Sequence, residues 1–151
     1  MEIKSVITSK VSTSEANSFQ VFVLDNDIEF FKRTRDLITS ILSKSSTVNN
    51  ALTIEFRHFT SPKDCMLALS SKPTLLIFEF FFNDQVDYSD GGKFMDEVLE
   101  KFPEQELLMT SDRIDSDVLM LQLNRGLSNY IQKGANVDFR IASFMNEVFA
   151  A

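Results

Sequence analysis

The chain has 151 residues, a formal net charge of −7 and a hydrophobic fraction of 44%, with 15 Phe and no Trp. A chain of this length buries roughly two-thirds of its unfolded surface in one core, so a single domain is expected and a second has no room. The acidic balance, with no Lys/Arg run longer than two residues, speaks against a groove neutralising several nucleic-acid phosphates. The lone Cys65 excludes an internal disulfide and a multi-cysteine zinc site. The longest apolar run, Leu75 to Phe82, contains Glu79 and is far short of a membrane span, and residues 1–19 lack the apolar core of a signal peptide. A cytoplasmic protein without membrane insertion or a nucleic-acid partner is therefore expected.

Residues 1–19 read as a polar, Ser/Thr-rich leader in which Ile3 to Ile7 is a candidate edge strand, and residues 20–151 as the folded domain. Gln20 to Leu24 is a short, β-branched run ending at Asp25, which predicts a buried strand. From Ile28 to Ser43, Phe30, Phe31, Leu37, Ile38, Ile41 and Leu42 recur at helical spacing; the polar stretch Ser43 to Asn50 reads as a mobile loop. Leu52 to Phe59 alternates as a strand, and Ser61-Pro62-Lys63-Asp64 supplies an N-cap, a first-turn proline and an acid for a helix ending near Ser71. Pro73 precedes an apolar strand, Leu75 to Phe78. After an acidic, glycine-bearing loop, Phe94, Met95, Val98 and Leu99 mark a helix that stops before Pro103. Leu107 to Met109, Val118 to Leu123, Tyr130-Ile131 and Val137 to Phe149 read in turn as strand, helix, strand and closing helix.

Strands apolar throughout, separated by amphipathic helices, must be covered on both faces, which predicts an α/β fold: a flavodoxin-like, doubly wound, five-stranded parallel sheet with helices on both sides. Ligands of such sheets sit beyond the carboxyl ends of the strands. The residues expected there are Asp25, Asn26 and Asp27, then Glu79, Thr110 and Ser111, and Lys133. Clustered carboxylates suit a hard divalent cation, and a lysine with a hydroxyl suits the oxygens of a phosphoryl group, so the set suggests magnesium-dependent phosphoryl chemistry.

Val23-Leu24-Asp25-Asn26-Asp27, Pro73 through Glu79, Leu108-Met109-Thr110-Ser111 and Asn129 through Lys133, with Gly126 upstream, resemble in order the signature regions of two-component receiver domains over residues 20–149. The resemblance implies that Asp25 is the first acid of the metal pair, Thr110 the switch hydroxyl, Tyr130 the switch aromatic and Lys133 the phosphate-reading lysine. It also implies a metal site at Asp25, Asn26 and Phe81. Two central positions depart from the family. Asn26 stands where an acid ligates the metal, and Glu79 stands at the phospho-accepting aspartate, where the added methylene pushes the carboxylate to where a phosphoryl group would sit. Gly134 replaces a proline after the lysine, and the loop after Glu79 is lengthened around Phe80-Phe81-Phe82.

The resulting expectation is a pseudo-receiver and not an enzyme: Glu79 pairs with Lys133, no cofactor is needed, and magnesium is held weakly. Such a domain would work by docking on another signalling protein or on a second copy of itself. The docking face implied by the resemblance is the fourth helix, fifth strand and fifth helix, with Val118, Leu119, Leu121 and Tyr130. Two alternatives carry an active site. One is a receiver phosphorylated in the long loop, at Asp84 or Asp87; the other is a haloacid-dehalogenase-type phosphatase using Asp25 and Asp27, which would need a later acidic pair where only Asp138 and Glu147 remain. A flavodoxin lacks support, because no Ser/Thr/Gly-rich phosphate loop follows the first strand. Blander readings accompany these: Asp25 and Asp27 as helix caps, His58 as a packed and hydrogen-bonded imidazole, Cys65 as a buried core residue, and Phe80 to Phe82 as core plus at least one exposed or covered ring.

Overall fold

In the computed structural model, which describes residues 18–44, 52–81 and 91–150, strand and helix alternate along the chain. The strands are β1 (Ser18–Leu24), β2 (Thr53–Phe59), β3 (Leu75–Glu79), β4 (Leu107–Ser111) and β5 (Tyr130–Gln132). The helices are α1 (Ile28–Lys44), α2 (Pro62–Ala68, continued by a 3-10 turn), α3 (Gly91–Lys101), α4 (Ser116–Asn124) and α5 (Val137–Met145, continued by a π turn, Asn146–Ala150). All strand pairs are parallel, and the sheet order is β2-β1-β3-β4-β5.

Local chemistry starts the helices where the sequence places them. Asp27 caps α1 by accepting from the backbone N–H of Glu29 and Phe30 at 3.0 and 3.1 Å. Ser61 caps α2 through the Asp64 N–H ahead of Pro62, and Asp115 caps α4 through Val118 at 2.9 Å. Along β1 the side chains alternate between two apolar layers. Phe19, Val21 and Val23 pack with α1 and α5, while Phe22 and Leu24 pack with α2 and α3. Burying each such side chain is worth about 2 kcal/mol, which is why β1, buried throughout its centre, anchors both layers.

The structure differs from the sequence reading at element ends. β1 begins at Ser18, inside the segment assigned to the leader, because Ser18 and Phe19 find ladder partners in Thr53 and Ile54 and the Phe19 ring meets Phe149 edge-on at 5.0 Å. β3 includes Glu79, paired with Thr110, so the acid is the last residue of the strand and not the first of the loop. The polar leader's candidate strand at Ile3 to Ile7, the loop after Lys44, and Phe82, Asp84 and Asp87 lie outside the described residues. Cys65 is buried, and His58 is hydrogen-bonded and stacked on Phe31 at 4.5 Å, as their blander readings expected.

Candidate functional site

From β1 the chain crosses to β2 on one side of the sheet, then returns to β3 on the other, so the loops leaving β1 and β3 diverge and open a crevice at their carboxyl ends. Asp25 follows β1 and Glu79 ends β3. Lys133 follows β5, where its N–H donates to the Ser111 carbonyl at 2.8 Å and directs its stem back across β4. The three side chains meet there. The Lys133 Nζ donates to Asp25 Oδ2 at 2.6 Å and to Glu79 Oε1 at 2.8 Å.

Every oxygen of the two carboxylates accepts a hydrogen bond. Asp25 Oδ1 accepts the Asp27 N–H at 2.8 Å, and Glu79 Oε2 accepts the Phe81 N–H at 3.0 Å. The ammonium also lies over the Phe30 ring, 4.3 Å from its centroid, where the negative face of the ring adds attraction. The side chains of Lys133, Asp25 and Glu79 are 15%, 4% and 12% exposed, so the cluster is largely buried. Burial acts to lower the Lys133 pKa, but the hydrogen bonds and charges of Asp25 and Glu79 outweigh it and hold the ammonium above the usual lysine range. The His58 Nε2–H donates to the Asp25 carbonyl at 2.7 Å and fixes the backbone beneath the cluster.

Around the triad lies an open recess of about 350 Å³ whose rim adds Asn26, Asp27, Phe81, Asp112 and Arg113. The Arg113 guanidinium sits 4.6 Å from the Phe81 ring centroid. Asn26 is exposed on the rim, and Asp27 spends its carboxylate on the α1 cap. Among the described residues no group of three or more His, Cys, Asp or Glu side chains is placed to hold a metal ion. Asp138 and Glu147, the acids that phosphatase chemistry would need, lie off the recess; Asp138 pairs instead with Arg33 on the surface at 3.0 Å.

No protein-family model matches the sequence, and no curated protein matches it either. The fold, in contrast, matches solved structures. The receiver domain of NtrX from Brucella abortus superposes with a TM-score of 0.66 at 16% identity, covering 85% of this chain and 97% of that one. A two-component response regulator from Clostridium difficile gives 0.65 at 13% identity, covering 84% and 93%. The beryllofluoride-activated NtrC4 receiver-domain dimer gives 0.67 at 12% identity, covering 86% and 95%. This chain has the receiver fold.

Within that receiver fold the remaining expected site residues separate. Thr110 is fully buried, and its hydroxyl donates to the Phe78 carbonyl at 3.4 Å; it does not line the recess. Tyr130 is half-buried with its hydroxyl donating to the Ser111 carbonyl at 3.3 Å, and burial, the Glu79 and Asp112 charges and, in opposition, Arg140 leave its pKa raised. On α4 the expected docking face is only partly presented. Val118 and Leu119 are partly buried against the second apolar layer and Gln122 is buried; the exposed large apolar residues are Met120, Leu121 and Leu123, joined by Phe139 on α5. The sequence reading missed Phe30 and Arg113 at the site. Phe30 and Arg113 carry no local signature; away from the recess, Gly91 lets α3 start against the Phe80 backbone. Among the described residues no helix is long and apolar enough to cross a membrane.

Proposed function

We propose that this chain is a phosphorylation-independent, receiver-type interaction module of a signalling pathway, in which Glu79 permanently occupies the place and charge of a phosphoryl group. The observation that carries the reading is the Lys133 ammonium bridging Glu79 and Asp25 at 2.8 and 2.6 Å. A lysine that would read a phosphoryl oxygen is satisfied by the chain's own carboxylate. A magnesium ion would have to displace that ammonium from Asp25, with only the uncharged Asn26 amide in support, and this donor set favours Lys133. The domain then acts without catalysis and without a cofactor, in the cytoplasm, through protein contacts. Met120, Leu121 and Leu123 on α4, with Tyr130 on β5 and Phe139 on α5, supply an apolar docking patch for another signalling protein; the chain's acidity leaves nucleic acid out.

The test is a backbone-amide NMR titration with magnesium and then magnesium plus beryllofluoride, following Asp25, Glu79, Thr110 and Lys133. The wild type is expected to show no saturable shifts there, whereas Asn26→Asp/Glu79→Asp, which restores both family carboxylates and shortens the one in the pocket, is expected to show them. Saturable shifts in the wild type would return the protein to a phosphorylation-driven switch.

A further inference from the structure

Among the described residues the sheet ends laterally in β5, three residues long, and in β2, seven residues long. Among the described residues no strand pairs with the outer side of β2. The direction of its backbone groups follows from one bond: the Phe59 carbonyl accepts the Asp25 N–H at 3.0 Å, so it faces β1. With the two-residue period of a strand, Thr53, Glu55 and Arg57 also direct their N–H and C=O groups to β1. Those of Ile54, Phe56 and His58 point outward. A long edge of this kind is a template for another strand unless something blunts it.

We propose that β2 pairs antiparallel with β2 of a second copy of this chain, about a two-fold axis through Phe56, so that the two sheets join into one. The outward backbone groups restrict a symmetric pairing to registers that set even residues against even ones. Centring it on Glu55 places Glu55 against its own copy, and centring it on Arg57 does the same for arginine; both oppose like charges. Centring it on Phe56 pairs Glu55 with Arg57 of the second copy, and Arg57 with its Glu55. It also sets Phe56 against Phe56, Ile54 against His58 and Thr53 against Phe59, using all seven residues of the strand.

The side chains suit that register. Glu55 and Arg57 are exposed on one face, and they would form the non-hydrogen-bonded pairs, whose side chains stand closest. Arg57 is held in place before any partner arrives, with its guanidinium 4.8 Å from the Phe59 ring centroid and 5.4 Å from that of Phe22. On the opposite face Ile54 and Phe56 are half-exposed extensions of the core, and a paired strand would cover them. An interface in which each residue meets its complement on an identical copy is the isologous, closed kind, which stops at two chains. This contact goes beyond the docking function proposed above and leaves α4 free.

Sedimentation velocity of the full chain over a wide concentration range tests it. The expected result is a dimer that Glu55→Arg weakens about tenfold or more in dissociation constant, since two attractive pairs become repulsive, and that Glu55→Arg/Arg57→Glu restores. Amide hydrogen exchange at Ile54, Phe56 and His58 should slow as the dimer forms. A chain that stays monomeric overturns the proposal. So does a dimer indifferent to Glu55→Arg, including one that Leu121→Asp dissociates.

Discussion

Removing the Lys133 ammonium strands two carboxylates in a largely buried cluster, and the structure sets the scale of the loss. Breaking a buried ion pair by deleting one partner costs about 3–5 kcal/mol. Here Asp25 and Glu79 each keep one backbone N–H, from Asp27 and Phe81, so the loss falls at the lower end of that range, about 3 kcal/mol. For a domain of this size that is a fall of about 6–12 °C in Tm. Urea unfolding of Lys133→Met followed by circular dichroism at pH 7 measures it, with methionine keeping most of the apolar stem. Asp25→Asn/Glu79→Gln/Lys133→Met, which removes all three charges together, should recover much of the loss. The pH dependence has a definite sign. Because the folded-state pKa of Lys133 is raised above its ordinary 10.5, its contribution at pH 7 persists up to 10.5 and is lost as pH rises through the folded value, so on raising the pH from 7 the gap between wild type and Lys133→Met should narrow only in that alkaline range. A Lys133→Met variant within about 0.5 kcal/mol of wild type at pH 7 would refute the reasoning.

Burial, partly opposed by the charge of Arg57, pushes the Cys65 thiol up to about 12. Iodoacetamide at pH 8 should therefore leave it unmodified in the folded protein and label it promptly in urea, with labelling tracked by mass spectrometry; prompt labelling of the folded chain would contradict the packing of α2. At Gly91 an added Cβ would stand 2.9 Å from the Phe80 Cα and 3.0 Å from its carbonyl oxygen, both backbone atoms that cannot swing aside. Gly91→Ala should therefore lose about 1–3 kcal/mol by chemical denaturation despite the better helix propensity of alanine, and a stabilised variant would show that α3 can shift away from β3.

Much of the architecture was legible from local pattern. Apolar strands such as Leu75 to Phe78, the Ser61-Pro62 start of α2 and the periodicity of Phe30, Ile38 and Leu42 each depend on neighbours a few residues away, and these required a two-sided parallel sheet. The same logic collected Asp25, Glu79 and Lys133 at one end of it, since the carboxyl ends of parallel strands share an edge. What tertiary structure alone decided was which atoms touch. Lys133 is 108 residues from Asp25 and 54 from Glu79, and no spacing rule shows that one ammonium bridges both, that Phe30 lies against it, or that the Thr110 hydroxyl turns to Phe78 instead of the recess. The face of α4 was undecided for a similar reason. Its sequence is apolar on several sides, and only packing against the second core layer turns Val118 and Leu119 inward while leaving Leu121 in water. Sequence determines the periodicity of each element and hence the layers of the fold; the register and rotation of those elements, set by packing over long separations, determine the site.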